Sequence, residues 1–554
     1  MKRFLSFASV FFITTSLYSI IPLPNSPSWT SIDNDYATGA GFGDINNDGF
    51  IDFWTSNGND MALNKQAIYY NYNGNLETQA SWRSADSGMF GHLCLGDIDN
   101  DGNLDMANAF LGPQGDCKTR IYKNTGTSLT SLPYWLSADT DSSFDCALGD
   151  IDLDGDLDLA VSAGDAYSSR KSPAKIYRNN NGVFESLPFW VATDSTPSDA
   201  IRFADFNRDG YLDLIVGYRR KLSIYFNQNG SIEPTASWSI FERGWILRIA
   251  TADYDNDGWI DIAVAVNGQL SGDSSRIRVF KNNQGQINPI PAFTMLRNRV
   301  YCSCVAWADI NNDGYLDLSA GGWWEPIVVF ENRNGILDTL PTWSWSAGYT
   351  LVSEAIVFGD VRNRHLRTRC DTFISNGTRK LFYTSKSPLQ YRPTVLVQNV
   401  TLPFTNYCYD ILTGWVVLQN TPAMGETIVI QYQYSAYPDL AVTNWTSSAG
   451  NYIFYNTTPS TVVEDELVLA KTPKDFLLVY PNPFRSEITI QITNNQNLPI
   501  KIYNSSGQLI RAFTTNQLVW DGKDQLGNKV IAGIYFAQVD KDEQTIRKKL
   551  VKLD

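Results

Sequence analysis

The segment "DINNDGFID", Asp44 to Asp52, sets oxygen-bearing side chains at alternate positions, then a glycine, then one more aspartate. With the first Asp as position 1, Asp44, Asn46 and Asp48 fill positions 1, 3 and 5, Gly49 fills position 6 and Asp52 fills position 9. A hard cation such as calcium takes six to eight oxygen ligands at about 2.3–2.6 Å. Alternating side chains in a tight loop converge on one point, and glycine permits the sharp turn that brings them round. The residue at position 7, here Phe50, is free to vary because it would offer only its backbone carbonyl. The EF-hand loop shares the early spacing but closes with Glu at position 12 and leads into a helix. Here the closing acid comes at position 9, and the "FWTS" beside it reads as a strand.

The pattern recurs five times. Asp97, Asp99, Asp101 and Asp105 carry it in "DIDNDGNLD", and Asp150, Asp152, Asp154 and Asp158 in "DIDLDGDLD". Asp205, Asn207, Asp209 and Asp213 follow in "DFNRDGYLD", then Asp253, Asp255, Asp257 and Asp261 in "DYDNDGWID", and Asp309, Asn311, Asp313 and Asp317 in "DINNDGYLD". One such stretch is compatible with a polar turn between strands. Six with the same ligand positions point to six metal sites, since an acidic turn has no need of a carboxylate at position 9. Together the loops hold 21 carboxylates at these positions in a chain of net charge −14, and about six Ca2+ ions would bring that charge close to −2. Unneutralised, the carboxylates of each loop would repel one another strongly. The acidic balance also argues against a nucleic-acid partner.

The elements that position these loops repeat with them. The first aspartates lie 53, 53, 55, 48 and 56 residues apart. An apolar run precedes each loop ("ALGD", "RFAD") and a second follows ("DLAVSAG", "DIAVAV"). A third ends in Asn and Gly ("IYKNTG", "VFKNNQG"), and a fourth begins near an aromatic, usually Trp. Four short strands per unit of about 50 residues predict the blades of an all-β propeller. A seventh unit begins at "IVFGDV" (Ile356–Val361), but "RNRHLRTRC" has no ligand pattern, and the second and third strands resume only at "DLAVTNW" and "NYIFYN". Residues 361–436 are therefore expected to be a β-rich insertion in blade seven, projecting from the calcium-loop face. That blade's missing fourth strand is expected from the N-terminus, at "SWTSID" around Trp29, which would close the ring.

On these motifs the chain resembles the FG-GAP/VCBS repeat proteins, the calcium-loop propellers found in integrin α-chain heads and secreted bacterial proteins. The resemblance spans roughly Ser26 to Ser460 and implies a seven-bladed propeller over residues 25–460. At the N-terminus, "MKRFLSFASVFFITTSLYS" reads as a signal peptide over residues 1–20, and no other long apolar stretch predicts a transmembrane segment in the mature chain. After a linker at 461–475, residues 476–554 alternate as strands of a small Ig-like β-sandwich. Their "YPNPF", "WDGKDQLGNKV" and "AGIYF" resemble the type IX secretion C-terminal sorting domain and the related hook-capping Ig-like domain. The resemblance implies the type IX secretion machinery as a partner and a secreted or cell-surface location.

Two histidines, His92 and His365, leave little room for His-based triads or His-rich metal centres, and no nucleophile-elbow or phosphate-loop motif occurs. No catalytic residues stand out. The expected role is a binding or adhesion module for carbohydrate or protein ligands. Its candidate surface is the propeller face opposite the loops, with Trp245, Trp323, Trp324, Tyr218, Arg219 and Arg220. The alternative is a secreted polysaccharide lyase or other carbohydrate-active enzyme on a calcium propeller scaffold.

Overall fold

Short apolar runs bounded by Asp-Gly and Asn-Gly turns fold as antiparallel strands, and they do so throughout this chain. The computed structural model describes residues 21–112, 117–164, 171–269, 271–296, 301–446, 448–459, 477–480, 484–492, 498–504, 508–514, 517–541 and 544–553. The expected signal peptide (1–20) and linker (461–475) lie outside the described residues. Among the described residues the fold is all-β, with short 3-10 turns and no α-helix. The chain divides into two compact units, Met1–Pro459 and Ser460–Asp554.

In the first unit the four-strand repeat is explicit. The first repeat orders Ala37–Gly43, Asp52–Asn57, Ala67–Tyr69 and Trp82–Arg83 in one sheet, and the second and third repeats do the same. In repeats four to six the strands run on into a shared ten-stranded sheet. There Asp213–Tyr225 pairs through its first half with Ser198–Ala204 and through its second with Trp238–Ala252. Repeat seven takes Ile356–Gly359, Asp439–Val442, Tyr452–Phe454 and, from the N-terminus, Trp29–Thr30, with Trp29 opposite Ile453. Each repeat's first strand touches the next, and the seventh touches the first.

A repeated side chain staples the ring. The Asn two residues beyond each third strand donates from Nδ2 to the backbone carbonyl at loop position 2 of the preceding repeat. Asn124 reaches Ile45 at 3.0 Å, Asn179 reaches Ile98 at 2.8 Å and Asn227 reaches Ile151 at 2.7 Å. Asn282, Asn332 and Asn456 reach Phe206, Tyr254 and Ile310. Asn71 closes the circle on Val361 at 2.6 Å, 290 residues away. Fourth-strand indoles add a second set: Trp29, Trp82, Trp190 and Trp238 donate to the carbonyls of Leu76, Leu129, Ile232 and Ile287 in the following repeat.

The insertion leaves repeat seven after His365 and returns at Ala436, whose N–H donates to His365 O at 2.9 Å. It forms two small sheets, one around Leu366–Ile374 and Thr427–Ser435, the other of Leu381–Tyr383, Trp415–Leu418 and Tyr407–Tyr409. It does not project as expected but lies down across the loop face. Tyr391 Oη donates to Gly49 O at 2.6 Å, Arg392 Nη1 to Gly102 O at 3.1 Å and Lys380 Nζ to Leu153 O at 2.8 Å. Lys386 Nζ sits 2.6 Å from Asp309 Oδ2. The physical reasons are charge and apolar area. Residues 361–436 hold eight basic and three acidic side chains against an acidic ring, and Leu381, Cys408, Trp415 and Val417 join the core of repeats two to four. Pro388, Asp410–Thr413 and Trp415 also line an axial cavity of about 130 Å³ walled by the first strands of all seven repeats.

The second unit packs two antiparallel sheets, Leu477–Tyr480 with Ile488–Ile492 and Gln517–Trp520, and Leu509–Phe513 with Ile500–Asn504, Gly533–Lys541 and Gln544–Lys552. Ile488, Ile490, Ile500, Ile502, Trp520, Val539 and Leu550 form its core.

Candidate metal centre

Each of the six loops adopts one backbone form. Position 4 is left-handed in all of them (Asn47, Asn100, Leu153, Arg208, Asn256 and Asn312, φ between 56° and 60°), and so is the glycine at position 6. A Cβ there would be strained, which is why glycine recurs. The position-1 carboxylate nests in this turn. Asp44 accepts from Asp48 N at 3.1 Å and Gly49 N at 2.8 Å, and the position-6 N–H donates likewise to Asp97, Asp150, Asp205, Asp253 and Asp309. The position-5 carboxylate accepts from the N–H of position 7, as Asp48 does from Phe50 and Asp257 from Trp259, each at 2.9 Å.

These bonds fix the loop but leave carboxylate oxygens without partners. Oδ1 of Asp97, Asp99, Asp152, Asp205 and Asp255 and Oδ2 of Asp158 are buried and accept no hydrogen bond, and all stand at positions 1, 3 or 9. Asp97, Asp158 and Asp205 are 5%, 2% and 2% exposed. A buried carboxylate oxygen without a donor costs several kcal/mol unless a cation meets it. In loops two, three and five, carboxylate oxygens of Asp97, Asp99 and Asp101, of Asp150, Asp152 and Asp154, and of Asp253, Asp255 and Asp261 lie within 4.8 Å of one another. With no cation, burial and then the neighbouring Asp101 push Asp97 up to about 7. Burial chiefly raises Asp52 and Asp150 to about 7 and Asp105, Asp213, Asp261 and Asp317 to about 8. The donor set, all hard oxygen, fits a hard divalent cation.

Position 9 has a second job that the sequence reading missed. Asp52 accepts from Ile45 N at 3.0 Å with one oxygen and from Asn71 N at 2.8 Å with the other. Asp105, Asp213, Asp261 and Asp317 repeat both bonds, and Asp158 makes the one to Asn179 N. Repeat seven does the same: Asp439 bridges Val361 N at 3.0 Å and Asn456 N at 2.7 Å. The position-9 acid therefore locks the loop to the stapling Asn whether or not a ligand pattern is present, so its recurrence alone does not require a metal. The signal that could have found this was the aspartate retained at the start of "DLAVTNW".

Of the six residues expected on the opposite face, three are core. Tyr218, Trp245 and Trp323 are 0%, 3% and 6% exposed. Tyr218 Oη meets Tyr225 Oη at 2.5 Å, and Trp323 Nε1 donates to the buried Glu354, which also accepts from Trp445 Nε1 at 3.1 Å. Their rings fill space between repeats and are unavailable to a ligand. Trp324 remains 46% exposed, edge-on to Tyr301. Arg219 lies over the Trp245 ring at 5.4 Å, and Arg220 is exposed, 3.6 Å from Asp273.

Two family models match parts of the chain. The FG-GAP-like repeat family matches residues 44–107, 163–216 and 205–264. The secretion system C-terminal sorting domain family matches residues 478–553. No curated protein sequence matches the chain. Among solved structures, BBS1N, crystallised in complex with ARL6DN, is similar at 11% identity over 61% of this chain and 88% of that one, with a TM-score of 0.40. PorZ, described as an essential bacterial surface component of the type-IX secretion system of Porphyromonas gingivalis, is similar at 14% identity over 93% of this chain and 65% of that one, with a TM-score of 0.30. No helix among the described residues is long and apolar enough to cross a membrane. The chain carries FG-GAP-like repeats and ends in a secretion system C-terminal sorting domain, the mark of a secreted or cell-surface protein.

Proposed function

We propose that the ring is an extracellular calcium-stabilised binding module, displayed or released through the type IX secretion machinery, for a carbohydrate or protein ligand. The observation that carries the metal reading is the set of buried, unpartnered carboxylate oxygens at positions 1, 3 and 9 of loops two to five; loops one and six share the spacing and the backbone form. Bound calcium would supply the positive charge those oxygens lack. Positions 1, 3, 5 and 9 and the carbonyl of position 7 would hold it, and the position-1 and position-5 hydrogen bonds hold the loop ready. Calcium enters as a strut: it fixes the connection between a repeat's first and second strands, and six such struts stiffen the face on which the insertion rests.

The ligand reading rests on Trp324, an exposed indole beside Tyr301. An exposed aromatic of this kind stacks on sugar rings or packs against peptide side chains. The experiment is a glycan and peptide array probed with the calcium-loaded protein and with Trp324→Ala. Binding that the substitution abolishes supports the reading. Release of unsaturated ends from an anionic polysaccharide would replace it with the lyase alternative.

A further inference from the structure

The six acidic loops fall into two kinds, and a second position in each repeat tracks the division. Loops two, three and five carry Asp at position 3 (Asp99, Asp152, Asp255), whereas loops one, four and six carry Asn (Asn46, Asn207, Asn311). In every repeat one residue stands immediately before the stapling Asn. It is Lys123, Arg178 and Lys281 in repeats two, three and five, and Tyr70, Phe226 and Glu331 in repeats one, four and six. A base is present where position 3 is acidic and absent where it is not.

The side chains meet. Lys123 Nζ pairs with Asp99 Oδ2 and lies 3.5 Å from Asp101 Oδ2. Arg178 Nη2 is 3.4 Å from Asp152 Oδ2. Lys281 Nζ pairs with Asp255 Oδ2 and lies 3.2 Å from Asp257 Oδ2. In all three loops the base takes Oδ2 of position 3, and Oδ1 of the same carboxylate is left buried without a partner. The basic residue thus divides the carboxylate into an oxygen held by the protein and an oxygen turned into the loop. It also equalises charge. Over the ligand positions and this one residue, loops two, three and five carry the same formal charge, −3, as loops one and four, while loop six, with Glu331 there, carries −4.

We propose that Lys123, Arg178 and Lys281 are positioning and charge-matching residues that set the divalent-ion affinity of loops two, three and five. This rests on the calcium reading above and adds a specific claim: position 3 and the residue before the stapling Asn form one functional unit. The base lowers repulsion when the loop holds no ion, and by opposing the ion's charge it keeps a four-carboxylate loop from binding more tightly than its neighbours.

The test uses the full chain, Lys123→Met, and Lys123→Met combined with Asp99→Asn, which gives loop two the pairing native to loops one and four. Removing the base should lower the melting temperature in chelator. It should also create one site that fills before the other five, about tenfold tighter from the lost repulsion between a divalent ion and a unit charge roughly 6 Å away in a water-like dielectric. The double substitution should return both properties to near wild type. A lysine that merely anchors the strand predicts otherwise: single and double variants melting equally low, with no tighter site, would overturn the proposal. Calcium titration followed by native mass spectrometry, with melting in chelator, reads both. If the wild type itself takes up no ions at millimolar calcium, the calcium reading fails and takes this proposal with it. If the wild type fills its sites and the double variant does not recover, this proposal alone fails.

Discussion

Repeat seven and the other six are built on the same frame, and only one of them lacks the ligand pattern. Asp360 stands at position 1 of repeat seven and accepts from Arg364 N at 3.0 Å and from His365 N, the same pair of bonds that Asp44 makes. Asn363 at position 4 is left-handed, with φ 51°, like its six counterparts. Asp439 makes the position-9 bridge. What differs is positions 3 and 5, where Arg362 and Arg364 replace the oxygen ligands, and Arg362 stacks over Tyr455 at 4.2 Å. The comparison separates the aspartates by purpose. Positions 1 and 9 are needed to fold the repeat; positions 3 and 5 are the ones that repeat seven could surrender.

The largest break in this comparison should come from removing ions. Any ion bound only by the folded loops stabilises by mass action, about 2.7 kcal/mol per site at a hundred times its dissociation constant. Chelation should therefore lower the melting temperature strongly, and a melting curve unchanged by chelator would mean that the six loops behave as repeat seven does. Next comes Asp439→Ala. It removes no proposed ligand, yet it strands two buried backbone N–H groups, and about 3 kcal/mol of stability should be lost. The bound-ion count should stay the same, and a denaturant titration with an ion count reads both. A neutral outcome would undo the claim that position 9 is structural.

A pH series in chelator gives a moderate effect of defined sign. The position-9 carboxylates of loops one, two, four, five and six are raised to about 7 or 8 by burial, above their ordinary value near 3.8. The folded state then holds more protons than the unfolded state from about pH 4 up to those values, so stability without ions should fall as pH rises from about 5 to 8. With saturating calcium the dependence should flatten or reverse, because the ion replaces the protons. A melting temperature that rises with pH in chelator would contradict the assignment. The smallest stability effect belongs to Trp324→Ala, within about 0.5 kcal/mol, because the side chain is half exposed. A large loss would show that Trp324 is a packing residue like Trp323.

Much of this was legible in the sequence because a repeat exposes its own register. The loop spacing located the first and second strands, and counting fourth strands placed Trp29 beside residues 451–455, where it pairs with Ile453. The sorting domain was readable from its turns. Three features were not. The double role of position 9 depends on an Asn 14 to 21 residues away, whose partner at position 2 lies in another repeat. Tyr218, Trp245 and Trp323 sit in connections that the repeat pattern marks as surface, and only packing between repeats shows them buried. The insertion's posture followed from its basic composition and apolar face, neither of which its point of attachment reveals.

The most direct measurement is the number of calcium ions per chain, taken by native mass spectrometry at millimolar free calcium for the wild type, Asp101→Ala and Asp439→Ala. Six, five and six are expected, with repeat seven contributing none. A wild-type count near zero, or a seventh ion lost with Asp439→Ala, would contradict that expectation.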